Sequence, residues 1–63
     1  MDDWRIRLLA EQQQLEERQT KLEAFLDSAP FLALPKLQQD LLWAQRAVMA
    51  AYARLLQLRI DVG

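Results

Sequence analysis

Residues 4–26 read WRIRLLAEQQQLEERQTKLEAFL, a run without Gly or Pro in which Gln, Glu, Leu, Arg, Lys and Ala predominate. Such straight-chain residues lose little rotamer freedom in a helix, so their summed propensity predicts one continuous helix ending near Leu26. Leu8, Leu15 and Leu22 fall seven apart, as do Trp4, Glu11, Arg18 and Phe25. Taken as positions a and d of a heptad, the two sets predict a coiled-coil-like seam. Its ends are aromatic, while its middle d positions hold Glu11 and Arg18. That charged pair has two readings. Both side chains can snorkel to water along their stems and merely fix register. Alternatively Arg18, with Thr20 and Lys21 close behind it, faces a shared cavity that takes an anionic ligand. A guanidinium suits that task because its planar fork binds phosphate bidentately and keeps its charge.

Outward from this helix, Asp2 or Asp3 can cap its start, where negative charge suits the helix dipole. At Asp27-Ser28-Ala29-Pro30 it should stop, because the residue before proline is pushed out of the α region. PFLALP, residues 30–35, is too short for a stable element and too apolar for an exposed loop. It predicts a single turn of 3₁₀ type tucked over the end of a helix pair, with Pro35 as the first residue of a second helix. That second helix should run from Lys36 to Ile60. Leu37, Leu41, Ala44, Val48, Ala51, Leu55, Leu58 and Val62 alternate spacings of four and three, an uninterrupted heptad seam to lie against the first helix. Beside it runs a second stripe, Leu42, Met49, Tyr52 and Leu56, with Gln45 and Arg59 in line. One partner helix covers about one seam, so the expectation is that the second stripe meets another chain. The fold class is all-α: a helical hairpin of two long helices joined by a short Pro-bracketed turn, forming a homo-oligomeric bundle.

Sixty-three residues make one small domain, and a chain of this size buries only about 60% of its unfolded surface. Small scaffolds compensate with disulfides, metal or oligomerisation. There is no Cys and no His, which removes disulfides and the usual zinc ligands and leaves oligomerisation. Nothing in the sequence resembles a signal or membrane-spanning segment, which favours the cytoplasm and no membrane partner. The net charge is −1, whereas a binder of polymeric nucleic acid would normally carry a basic excess. Catalysis is not expected. The only hydroxyl side chains are Thr20, Ser28 and Tyr52, with no His to activate them. Glu16 and Glu17 point in different directions on a helix and read as a solvated face. No metal or cofactor site has a recognisable spacing. Trp4 stands apart among the aromatics, because it opens the first helix flanked by Arg5 and Arg7. An indole beside guanidinium groups fits a stacked nucleobase with its phosphates; the competing reading is that Trp4 covers a neighbouring subunit.

The order of motifs adds a resemblance. Trp4-x-x-Arg7 is followed by Leu15-Glu16-Glu17-Arg18-x-x-Lys21-Leu22-x-Ala24-Phe25, then Phe31-x-x-Leu34-Pro35, Leu41-Leu42-x-x-Gln45, Met49-x-x-Tyr52 and Leu58-Arg59-Ile60. Over residues 4–60 this resembles the small phage proteins of the anti-CBASS cyclic-oligonucleotide sponge family. The resemblance implies a helical hairpin that assembles into compact hexamers and sequesters cyclic dinucleotides and cyclic trinucleotides, starving bacterial CBASS effectors of their signal. It implies a dinucleotide pocket using Trp4 and Arg18, where the family more often has Tyr and Lys. Arg7 and Lys21 are the neighbouring cations. A trinucleotide pocket would use Thr20 and Arg59. The contrasting expectation, from composition and periodicity alone, is an oligomeric helical adaptor without a small ligand.

Overall fold

The computed structural model describes residues 3–63. Three helices follow one another: α1 (Asp3–Leu26), α2 (Ala29–Leu32) and α3 (Lys36–Val62). The long helices lie antiparallel as a rod with extents of 48 × 15 × 12 Å and a radius of gyration of 14.6 Å. A compact domain of this length would have a radius near ~11 Å, so the hairpin is a thin layer with most of its surface outside.

The turn is built as local chemistry demands. Ser28 is the N-cap of α2, its hydroxyl accepting from the Phe31 N–H at 3.4 Å while donating to the Phe25 carbonyl at 2.5 Å. Pro30 sits in the first turn of α2, where a missing N–H costs nothing. The short element is α-helical rather than 3₁₀. Pro35 is the N-cap of α3 and not its first helical residue, which is Lys36. Gln39 closes the corner, its amide donating to the carbonyls of Leu32 and Leu34 at 3.4 and 2.9 Å. Phe31 is buried beneath the turn and meets Phe25 and Trp43 edge to face, with centroids 6.0 and 6.3 Å apart. Asp3 is the first residue of α1; a cap from Asp2 lies outside the described residues. At the far end α3 runs to Val62, two residues beyond Ile60. It closes on Gly63, which takes a left-handed φ of 70° and whose N–H donates to the Arg59 carbonyl at 3.1 Å.

The core between the long helices differs from the expected pairing. On α1 the inward positions are Leu8, Gln12, Leu15, Gln19, Leu22 and Leu26. Leu8, Leu15 and Leu22 keep their place, but the intervening positions are one residue later than the Trp4-Glu11-Arg18-Phe25 series. Two glutamines fill the middle of that seam, which is why apolar periodicity did not disclose it. Arg18 is exposed and lies off the seam. On α3 the reversal is larger. Leu42, Met49, Ala53, Leu56 and Ile60 turn toward α1, with Leu56 fully buried. The heptad stripe of Leu37, Leu41, Val48, Leu55, Leu58 and Val62 is exposed. Only Leu42, Met49 and Leu56 of the second stripe turn inward, joined by Ala53 and Ile60, while Tyr52, Gln45 and Arg59 stay exposed; the uninterrupted seam remains outside. Polar bonds fix the register across the pair: Arg5 donates to the Ile60 carbonyl at 3.2 Å and Gln12 to Gln57 at 2.6 Å. Tyr52 bonds Glu11, and Arg46 pairs with Glu23 while stacking on Trp43.

Leu56 is the side chain on which both helices converge. Leu56→Ala should lower stability by about 2–5 kcal/mol, read as a reduced midpoint in urea denaturation followed by circular dichroism. Ser28→Ala should cost about 1 kcal/mol through the lost cap and shift the same midpoint less.

Candidate functional site

Two grooves mark the hairpin. The first, about 480 Å³, lies at the open end, where the start of α1 meets the end of α3. Trp4 and Leu8 form one wall; Leu58, Arg59, Val62 and Gly63 form the other. Antiparallel pairing through a short turn produces this meeting, because it brings the first residues of one helix against the last of the other. The Trp4 indole leans on the end of α3, its edge 3.7 Å from where a Cβ on Gly63 would lie, yet 41% of the residue stays exposed. An apolar ring face is thus available beside the exposed Arg59 guanidinium. The positive end of the α1 dipole offsets the negative end of α3 here, so the side chains decide the field. Arg5 and Arg7 add positive charge on α1, with Arg5 also held on the Ile60 carbonyl.

The second groove, about 550 Å³, lies midway along the hairpin. Glu11, Gln14 and Arg18 line it from α1, and Gln45, Val48 and Tyr52 from α3, over a floor that includes Leu15 and Met49. Tyr52 donates to one Glu11 oxygen, which holds the carboxylate toward one end. Arg18, seven residues on and so about 10 Å along the axis, is exposed and has no ion pair among the described residues. Two amides, a carboxylate, a phenol and a free guanidinium can together hold a polar, anionic molecule against apolar walls.

The residues singled out by sequence distribute as follows. Trp4 and Arg59 meet in the first groove, although the resemblance assigned them to different pockets. Arg18 lines the second groove, and fourteen residues separate it from Trp4, about 21 Å along one helix. Arg7 and Lys21 are exposed on α1 and line neither groove. Thr20 is exposed, its hydroxyl donating to the Glu16 carbonyl at 2.9 Å, the usual back-bond of a helical threonine. The register places it near the level of residue 49, about 15 Å along the axis from Arg59. Within one chain, then, neither Trp4 with Arg18 nor Thr20 with Arg59 forms a common site. Sequence reasoning missed Glu11, Gln14, Gln45 and Tyr52 as one cluster. The available signal was the short turn, which sets opposite which residue each of them sits.

Arg18 lies in the heptad series of α1 and Arg59 in line with the second apolar stripe of α3, positions where burial would demand a counter-charge. Both are exposed, so water solvates them and structure alone demands no partner. Among the described residues no group of acidic side chains is placed to hold a metal ion, and no helix is long and apolar enough to cross a membrane.

No curated protein and no solved structure matches the chain. A family model matches residues 2–62, nearly the whole sequence, and its name points to sequestration. The chain belongs to the Sequestin family.

Proposed function

We propose that the protein sequesters a small anionic nucleotide signal, a cyclic dinucleotide in the first instance and a cyclic trinucleotide in the second. It holds the ligand stoichiometrically without converting it. The observation that carries this reading is the open-end groove, which offers a half-exposed indole face and a guanidinium side by side. A base stacked on an aromatic ring contributes about 1–3 kcal/mol, and a hydrogen bond to a charged group about 1.5–3 kcal/mol. Together these favour a molecule with both a base and a phosphate over a polymer read along a basic stripe. The setting that agrees with the resemblance is a phage protein acting in the cytoplasm of a bacterial host, where it withholds the signal from CBASS effectors.

The proposed assembly is a homo-oligomer, a hexamer by resemblance. Two site arrangements follow from the distances. Trp4 and Arg59 of one chain can hold one nucleotide unit, with Arg18 serving the second groove. Trp4 with Arg18, and Thr20 with Arg59, can share a ligand only when each member comes from a different copy. The exposed stripe on α3 favours a second reading, an oligomeric adaptor with no small ligand.

Calorimetric titration with a cyclic dinucleotide, a cyclic trinucleotide and a linear dinucleotide tests the proposal. Saturable binding of a cyclic ligand, recovered unaltered after heating the complex, is the expected result; recovery of a cleaved product would make the protein an enzyme. Absence of binding to all three probes would leave the adaptor. Trp4→Ala should weaken binding by about 1–3 kcal/mol. If Arg59→Ala weakens the same ligand, one chain supplies the site. If Arg18→Ala does so and Arg59→Ala affects only the trinucleotide, the sites lie between copies. Added duplex DNA should not compete in either case.

A further inference from the structure

The outer stripe of α3 is more than an apolar surface. Leu37, Leu41, Val48, Leu55, Leu58 and Val62 are between 47% and 86% exposed, and Ala44 and Ala51 lie in line with them. No charged residue interrupts these eight positions over about 38 Å of helix. Among the described residues six are buried inside the hairpin, Leu8, Leu15, Leu26, Phe31, Leu56 and Ile60. So small a core, beside so long an apolar face, is unlike a protein built to stay alone.

We infer that this stripe docks on the same stripe of a second copy, antiparallel, about a two-fold axis between Met49 and Ala50. The argument is the pattern of sizes. In that register Leu37 meets Val62 of the second copy, Leu41 meets Leu58, Ala44 meets Leu55 and Val48 meets Ala51. All eight positions find a partner, and both central alanines lie opposite larger side chains that fill the space they leave. Sliding the pairing by one heptad in either direction strands two positions at each end. A parallel pairing sets every residue against itself, alanine on alanine and leucine on leucine, alternating gaps with crowding. It would also bring like ends of the helix dipoles together, whereas the antiparallel pair opposes them favourably. The face is thus complementary to itself, as an isologous interface requires. Val48 also lines the Arg18 groove, and Gln45 and Tyr52 flank the stripe on that side, so this pairing places the second copy along the groove's open edge.

This inference deepens the homo-oligomeric part of the proposed function and is independent of the ligand. The chain has no cysteine, so introduced thiols report the register without background. Val48→Cys and Ala51→Cys proteins, each checked for helicity by circular dichroism, are mixed in equal amounts and oxidised without ligand. The expected product is the mixed disulfide joining one chain of each kind, identified by its intermediate mass and dominating over both homodisulfides. Either homodisulfide dominating would establish parallel pairing and overturn the inference. An oligomer in sedimentation with no cross-link would place the interface on another face, and a monomer at micromolar concentration would remove it and the proposed assembly together. Ligand titration failing while the mixed disulfide forms would sink the sequestration reading and leave this interface intact.

Discussion

The contact on which the hairpin depends is the meeting of Leu56 and Ile60 with Leu8 and Leu15. These four side chains, with Met49 and Ala53 packed against them, form the core that holds α1 against the C-terminal half of α3. Their position fixes which residues stand opposite one another for the whole rod. Everything functional is downstream of that register. It brings Trp4 to Arg59, and it sets Glu11 opposite Tyr52. The glutamines at the inward positions of α1 are half-buried, and Gln12 satisfies its amide by bonding Gln57. A chain free to slide by one turn would lose those bonds and expose Leu56.

The same thinness explains why the grooves exist at all. Two helices in a single layer cannot close a cavity, so each depression is a valley between them that stays open on one side. Such a valley can hold a molecule by its faces and charges. Membership in a family named for sequestration and the shape of the grooves point the same way.

Much of the architecture was legible from sequence. The straight-chain composition of residues 4–26, the proline bracket and the spacing on α3 delimited two long helices within two residues of their ends. The facing of those helices was not legible, for a physical reason. Leu37 through Val62 makes the cleaner apolar heptad, but the cleaner stripe went outside, because α1 offers glutamine at Gln12 and Gln19 and matches the poorer face of Leu42, Met49, Ala53, Leu56 and Ile60, interrupted at Arg46. Periodicity counts apolar residues and is blind to which of two apolar faces a partly polar helix prefers. At the site, Trp4 was singled out by its chemistry and Arg59 by the resemblance, yet their meeting followed from hairpin register. Thr20 and Lys21 were assigned to ligand pockets, whereas in the hairpin both are solvated on the α1 surface and line neither groove.

The turn at Ser28–Pro35 has a kinetic consequence. Closing a short loop is fast and local, whereas Arg5 can find the Ile60 carbonyl only after every intervening turn of helix has aligned. Loop closure therefore favours zipping from the Phe25–Phe31–Trp43 cluster outward, with the Leu8–Leu15–Leu56–Ile60 contact closing the far half and only the helix tips beyond it, at the open end, left to fray. The Trp4 groove lies at that end. A molecule lodged there would tie together the two strips of the zipper where they part most readily. Opening of the helix ends, rather than dissociation from a rigid surface, would then set how long the molecule is held.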